Sequence, residues 1–152
     1  MTGITVRKVS PLDPAALRMI DGSEREQAAL YPAHLRTALA PEELEAQGVR
    51  FFVAFDGAEP VGSGGYGIYG EYAELKRIYV APDARGKGVS DAVMRACEAA
   101  ALGEGQALMR LETGHATPAA IRLYQRHGYA VTGPFGSYAE NGSSVFMEKA
   151  LQ

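Results

Sequence analysis

The stretch ELKRIYVAPDARGKGVSDAVM, residues 74–94, carries the clearest structural signal in the chain. Its first part is rich in β-branched and aromatic residues and predicts a strand over 73–80, which Pro82 ends because proline cannot donate to a strand ladder. From residue 88 to about 102, apolar side chains recur at three and four positions, as on one face of a helix. The six residues RGKGVS, 85–90, therefore lie between a strand and the start of a helix.

A turn of this composition at a helix N-terminus is typical of a phosphate site. The first N–H groups of a helix are unpaired and carry a partial positive charge. Gly86 and Gly88 have no side chain to keep an anion away from those groups, and Arg85 and Lys87 add full positive charges. The spacing is not that of a P-loop. Taken alone, the stretch leaves two interpretations open, a phosphate seat or a solvated basic turn.

A second glycine-rich stretch, GSGGYG at 62–67, fits the dinucleotide fingerprint G-x-G-x-x-G by pattern alone. That fingerprint needs a helix directly after the glycines. The residues that follow here, IYGEYAELKRIYV, predict strand. We therefore expect these glycines to let a strand bend or approach a neighbour closely. Binding of NAD through this stretch is kept only as the third hypothesis.

The remaining elements alternate between strand and helix patterns. We expect further strands at 4–9, 50–55, 59–69, 106–113, 129–133 and 143–151, and helices at 14–30, 41–48 and 118–127. Thr117 is the expected N-cap of the last helix, because Pro118 follows at its first position. The order β-α-α-β-β-β-α-β-α-β-β predicts one α/β domain over 1–152, with a mixed sheet flanked by helices.

Composition and charge narrow the class of protein. With 152 residues, 47% of them hydrophobic, and a net charge of −3, the chain predicts one globular domain without the basic surface that nucleic acid or an anionic membrane requires. The single cysteine, Cys97, allows no internal disulfide, and its apolar helical context favours burial. No spacing suggests a metal site. The N-terminus lacks a signal-peptide pattern, so we expect a cytoplasmic protein.

Two blocks of the sequence resemble the GNAT family of N-acetyltransferases. Residues 85–90 are similar to the family's cofactor motif [QR]-x-x-G-x-[GA], with Ser90 in the last, usually glycine or alanine, position. The segment TPAAIRLYQRHGY, 117–129, resembles N-x-x-A-x-x-L-Y-x-x-x-G-[FY], with Thr117 in place of asparagine. The two blocks have the family's separation, and the predicted element order matches over nearly the whole chain.

The resemblance implies acetyl-coenzyme A as co-substrate. Its pyrophosphate would lie on the 85–90 loop, and its pantetheine amides would pair with the strand backbone at 78–80 like an added strand. The implied cofactor contacts are Ile78, Tyr79, Val80, Arg85, Gly86, Lys87, Gly88, Val89, Ser90, Thr117 and Tyr124.

Acetyl transfer to an amine needs an acid, a base and stabilisation of the carbonyl oxygen. A backbone N–H near 78–80 is our expectation for the oxygen. Tyr124 is the candidate acid that protonates the departing thiolate, because a phenol titrates near 10 and the family's tyrosine at this position has that role. The other interpretation of Tyr124 is a core aromatic, since it shares a helical stripe with Ala120 and Leu123.

Glu74 is the candidate base, acting through a water molecule. It lies at the start of the strand that would hold pantetheine, eleven residues before Arg85, where several family members have a glutamate. Simple alternation puts Glu74, Lys76, Ile78 and Val80 on one face. The alternative is a solvated edge-strand charge paired with Lys76 or Arg77. Two histidines are rival bases on titration alone: His115, and His127 at a helix end.

The acceptor is predicted only as a small-molecule or peptide amine. By analogy with the fold, segments 28–40 and 134–142 should border its pocket. They offer Tyr31, His34, Phe135, Tyr138 and Glu140. The main alternative function is a non-catalytic module that binds acyl-coenzyme A, and a homodimer is possible for a fold of this kind.

Overall fold

The computed structural model describes residues 3–36 and 38–152. Every predicted helix and strand is present, with ends within two residues of the prediction. The strands are β1 (Ile4–Val9), β2 (Arg50–Asp56), β3 (Glu59–Tyr69), β4 (Tyr72–Val80), β5 (Leu108–Gly114), β6 (Ala130–Thr132) and β7 (Ser144–Ala150). The helices are α1 (Pro14–Leu30), α2 (Pro41–Ala46), α3 (Val89–Gly103) and α4 (Pro118–Arg126), with short 3-10 turns at Ala33–Leu35 and Pro82–Ala84.

The strands form one seven-stranded mixed sheet in the order β1-β2-β3-β4-β5-β7-β6. All neighbouring pairs are antiparallel except β4 and β5, which are parallel. The sheet is thus two antiparallel halves joined by a single parallel pair. The predicted fold class, a mixed sheet flanked by helices, is confirmed.

Helices cover both faces of the sheet. On one face, apolar residues of α3 and α4 pack with strand residues such as Ala54, Leu75 and Met109. On the other face, α1 and α2 pack on Phe51, Val53 and neighbours. The two apolar layers, one on each face of the sheet, remove most of the apolar surface of the helices and strands from water. This burial is the main stabilising contribution to the fold.

The glycines of 62–67 lie within β3, as predicted, and no helix follows them. A Cβ atom at Gly62 would come within 2.5 Å of the Val89 side chain on α3. A Cβ at Gly64 would collide with the Ile78 side chain and lie 2.9 Å from Val93 of α3. These glycines therefore let α3 pack directly on the strand, and the stretch lacks the strand-glycine-helix arrangement of a dinucleotide site.

A β-bulge in β4 interrupts the alternation of side chains. Gly65 pairs with Lys76 and Ser63 with Tyr79, so Arg77 and Ile78 together face one residue of β3. Arg77 has a φ of 56°, in the left-handed region that one type of β-bulge has at its first position. The predicted shared face of Glu74, Lys76, Ile78 and Val80 is therefore wrong. Lys76 lies on the side of α1, whereas Ile78 and Val80 pack with the α3 core.

Candidate active site

Strands β4 and β5 diverge soon after they meet. Their pairing is confined to Ala73 with Met109 and Glu74 with Arg110. On its other side β5 continues to pair with β7 as far as Gly114. Within the described residues, the backbone of β4 beyond Glu74 therefore has no strand partner on the β5 side. Because unpaired backbone groups seek a hydrogen-bonding partner, this opening suits an extended amide-containing chain.

A cleft occupies the opening between the two strands, with α4 and the end of α1 as its walls. Four of the predicted site residues line it: Glu74, Ile78, Thr117 and Tyr124. Its volume, ≈ 170 Å³, is well below the roughly 300–1,000 Å³ of pockets that enclose a drug-sized molecule. It is therefore too small to enclose a whole cofactor. Tyr79, Val80 and the 85–90 loop do not line it.

The Glu74 carboxylate is buried at this cleft, with its side chain 6% exposed. Its Oε2 accepts a hydrogen bond of 2.5 Å from the Tyr138 hydroxyl and one of 3.0 Å from Lys76 Nζ. The alternative, in which Glu74 is a solvated charge, is therefore wrong because the side chain is buried. The ion pair with Lys76 that this alternative predicted is present. Both bonds end on Oε2, which leaves Oε1 for a water molecule.

The Tyr138 hydroxyl stays protonated at neutral pH. Burial raises the pKa of this phenol, and the negative charge of Glu74 raises it further. The ring packs edge-on against Phe135 at 5.3 Å between centroids. A rigid, protonated donor therefore fixes the position of the Glu74 carboxylate.

Tyr124 projects from α4 into the same cleft and is buried. Its ring packs edge-on against Tyr129, with centroids 6.1 Å apart. Burial raises the pKa of the Tyr124 phenol, and the charge of Glu112 adds to the effect. The hydroxyl makes no hydrogen bond to any described residue. It is therefore a protonated donor that is available to a bound molecule.

The 85–90 loop has the geometry that a phosphate seat requires. Gly86 and Gly88 have φ values of 78° and 79°, in the left-handed region that favours glycine. A Cβ atom on either residue would meet nothing within 4 Å, so the space above the loop is open. Gly88 is the N-cap of α3 and provides no side-chain hydrogen bond to the first turn. The N–H groups of Val89 and Ser90 therefore start the helix without a side-chain cap.

Arg85 makes contacts that its predicted role did not include. Its guanidinium forms an ion pair with Glu26 of α1, and its Nε donates to the Val80 carbonyl at 3.2 Å. The side chain is therefore directed towards α1 and β4. Lys87, by contrast, is exposed, and among the described residues it makes no ion pair.

Thr117 is at the N-cap position of α4, as predicted, but its hydroxyl does not cap the helix. It donates to the Gly114 carbonyl at 3.0 Å instead. This bond ties the start of α4 to the end of β5, so that α4 lies against the cleft.

Neither rival base lies in the cleft. His115 is exposed, and its contact is a backbone hydrogen bond to Ser143. His127 ends α4 and contacts Asp91 of α3 through Nε2, at 2.7 Å, which accounts for it structurally. His115 and His127 therefore do not line the cleft with Glu74 and Tyr124.

Of the five residues expected to border the acceptor pocket, two line the cleft and three do not. Tyr31 and Tyr138 line the cleft. His34 and Glu140 are exposed, and Phe135 is buried behind Tyr138, so these three do not line it.

Several polar residues that line the cleft were not predicted from the sequence. Ser23 and Gln27 are four apart on α1, and Tyr31 follows at the same spacing, so a helical stripe facing the cleft could have identified them. Arg36 and Thr113 carried no comparable signal. The described residues contain no group of three or more His, Cys, Asp or Glu side chains that could hold a metal ion. None of the helices in the described part of the chain is long and apolar enough to span a membrane.

Comparison with known proteins identifies the family. The model of the acetyltransferase (GNAT) family matches residues 16–129. An IAA acetyltransferase from Azospirillum brasilense is 36% identical over 153 residues, which cover 99% of this chain and 100% of the relative. A crystal structure from Klebsiella pneumoniae, assigned to the acyl-CoA N-acyltransferases, has a TM-score of 0.83 and 30% identity, with 98% of each chain covered.

The chain belongs to the GNAT family of acetyltransferases. The resemblance noted in the sequence is thereby confirmed, and so is acetyl-coenzyme A as the co-substrate of the family. A more distant relative in fold, the PaiA N-acetyltransferase of Thermoplasma acidophilum, was solved in complex with coenzyme A. It has a TM-score of 0.76 at 22% identity and covers 97% of this chain and 99% of its own.

Proposed function

We propose that this protein transfers an acetyl group from acetyl-coenzyme A to a primary amine by direct attack in a ternary complex. The observation that carries the proposal is the cleft between β4 and β5, in which a buried carboxylate, Glu74, and a protonated phenol, Tyr124, line one small space. The two opposite proton-transfer tasks of the reaction thus have one candidate group each.

The cofactor would be held at two places. The first turn of α3 and the loop glycines offer N–H groups and open space for the pyrophosphate. The edge of β4 at Ile78, Tyr79 and Val80 has no strand partner on the β5 side and would offer backbone groups to the pantetheine amides, although the Val80 carbonyl already accepts from Arg85 Nε. When bound, acetyl-coenzyme A supplies the thioester that carries the acetyl group.

The acid and the base act at opposite ends of the exchange. Glu74 Oε1 accepts the amine proton through a water molecule, while Tyr138 and Lys76 hold Oε2 in place. A backbone N–H of 78–80 stabilises the carbonyl oxygen as it gains charge. The Tyr124 hydroxyl donates its proton to the departing sulfur.

Direct attack is favoured over an acetyl-cysteine intermediate. The one cysteine of the chain, Cys97, is fully buried in α3. Burial raises the pKa of its thiol, so the reactive thiolate does not form at neutral pH. Double-reciprocal plots of the initial rate against one substrate, at several fixed concentrations of the other, should therefore give intersecting rather than parallel lines.

The test of the function is release of free coenzyme A from acetyl-coenzyme A in the presence of a broad amine panel, followed with a thiol reagent. A non-catalytic module would bind the cofactor, as seen in a thermal shift, but release no thiol with any amine. Affinity for NAD without affinity for coenzyme A would instead support a dinucleotide-binding protein that uses the stretch GSGGYG, 62–67.

A matched pair of variants tests the phosphate seat. Gly88→Glu should abolish binding of acetyl-coenzyme A, because it puts a carboxylate where the phosphates would lie. Gly105→Glu is the control: Gly105 also has a positive φ, 88°, and open space around it, but lies past the other end of α3. Both variants carry similar backbone strain, of roughly 1–2 kcal/mol. Equal cofactor affinity in the two folded variants would refute the seat.

A further inference from the structure

Most charged side chains that line the cleft already have an opposite charge beside them. The pairs are Glu26 with Arg85, Glu74 with Lys76, and Arg77 with Glu24. Glu112, also at the cleft, accepts a hydrogen bond of 2.6 Å from the Ser144 hydroxyl. Arg36 differs from these, because its guanidinium makes no hydrogen bond or ion pair with any residue in 3–36 or 38–152.

Arg36 is held at the cleft by a segment that is tied down at a second point. It follows the 3-10 turn Ala33–Leu35, and its backbone N–H donates to the Ala33 carbonyl at 3.2 Å. Just before that turn, the Tyr31 hydroxyl accepts a hydrogen bond of 2.9 Å from the Ala116 N–H. Tyr31, Leu35, Arg36 and Ala38 thus form a wall of the cleft, with Arg36 half-buried in it.

A guanidinium that pairs with none of the described residues, and that lies in such a wall, is suited to one kind of ligand group. Arginine stays charged at every pH at which proteins are folded, and its planar set of N–H donors matches a carboxylate with two parallel hydrogen bonds. The cofactor does not meet this need, because its phosphates are assigned to the 85–90 loop outside the cleft and its pantetheine arm is neutral. The group that Arg36 binds would therefore belong to the acceptor.

We propose that the acceptor carries a carboxylate, which Arg36 binds while the amine lies near Glu74; free amino acids are the simplest compounds of this class. The proposal rests on the proposed function. The cleft then provides the negative charge of Glu74 near the acceptor's amine and the positive charge of Arg36 for the acceptor's carboxylate. Polar side chains at Gln27 and Thr113 complete a lining suited to such a polar molecule.

The experiment compares each amino acid with its own carboxamide, using thiol release to measure kcat/KM. The carboxamide keeps the amine and the side chain and removes only the negative charge. Because amide formation also changes the pKa of the amine, the acid-to-amide ratio of the wild type is compared with the ratio in Arg36→Met. We expect the ratio to fall by roughly 10- to 100-fold in Arg36→Met, the loss typical of a charge-assisted contact. Arg36→Lys should retain part of it.

Two controls separate this role from others. Arg122→Met removes an exposed arginine of α4 that does not line the cleft, and it should leave the ratio unchanged. The KM for acetyl-coenzyme A should stay at the wild-type value in Arg36→Met. An equal loss for acid and amide, or a loss confined to the cofactor KM, overturns the carboxylate site.

The proposed function can fail separately. If no amine of any kind releases thiol, the acetyltransfer proposal is wrong and the carboxylate site falls with it. If amines without a carboxylate are acetylated as well as amino acids, and Arg36→Met treats both alike, the acetyltransfer proposal stands and only the carboxylate site is overturned.

Discussion

Replacing Tyr124 with phenylalanine separates catalysis from packing, because the structure gives its ring and its hydroxyl different partners. The ring packs edge-on against Tyr129, whereas the hydroxyl makes no hydrogen bond to a described residue and faces the cleft. Phenylalanine keeps the ring, so the free energy of unfolding should change by less than about 1 kcal/mol. Turnover should fall by roughly 10²–10⁴-fold, which corresponds to about 2.7–5.4 kcal/mol in the activation barrier.

Tyr129→Phe is the matched control and should show the reverse pattern. Tyr129 is the other member of the aromatic pair, but its hydroxyl donates to Glu98 at 2.7 Å, away from the cleft. Losing a hydrogen bond to a charged group should cost about 1.5–3 kcal/mol of unfolding free energy. Turnover at a temperature where the variant is folded should stay near the wild-type value.

Urea unfolding measures the stability of both variants, and thiol release under saturating acetyl-coenzyme A measures turnover. The cofactor KM should move little in Tyr124→Phe, because the proposed proton transfer to the departing sulfur affects the activation barrier while the ring and the other implied cofactor contacts remain. Wild-type turnover in a folded Tyr124→Phe protein would refute the acid role and leave Tyr124 as a core aromatic.

Three further substitutions test other contacts. Glu74→Gln should lower the rate at neutral pH and recover partly at high pH, where the free amine needs no base; an equal deficit at every pH would indicate lost amine binding. Glu26→Gln frees Arg85 from an exposed ion pair and should tighten acetyl-coenzyme A binding by up to about fivefold in calorimetry, whereas weaker binding would mean that Glu26 orients Arg85. The bidentate contact of Arg50 holds the pKa of Glu104 below its ordinary value. The contribution of this contact to the free energy of unfolding is therefore full above about pH 4.5 and is lost as the pH falls further. In urea titrations, Glu104→Gln should reduce the loss of stability at acid pH.

The sequence predicted the elements and the fold well because their signals are local. Strand composition, helical spacing, and the proline and glycine positions at element ends each depend on a few neighbouring residues. The bulge in β4 escaped because it depends on how two strands pair across the sheet. A positive φ at Arg77 has no signal in the side-chain type. One extra residue there reversed the expected face of Ile78 and Val80.

The candidate site was predictable where a motif lies on one element and less so where segments meet. The 85–90 loop and Tyr124 each belong to a strand-to-helix turn or a single helix, so the sequence places them directly. The contacts of Glu74 with Tyr138, and of Arg85 with Glu26, join residues far apart in the chain. Thr117 is a further example over a shorter separation. Its hydroxyl was expected to cap α4, but it donates to the Gly114 carbonyl at the end of β5.

The junction of β4 and β5 also bears on how a bound molecule would change the stability of this part of the sheet. Only two residue pairs join the two antiparallel halves of the sheet through their strands. A molecule that paired with both free edges would act as an extra strand between them, and it would favour the folded arrangement over one in which the two halves separate. At a concentration 100 times its dissociation constant, such a ligand stabilises the folded state by about 2.7 kcal/mol. Backbone amides near the split, in residues 75–80 and 110–114, should therefore exchange hydrogen with solvent faster than those of β2 and β3, and their exchange should slow most when the ligand is added.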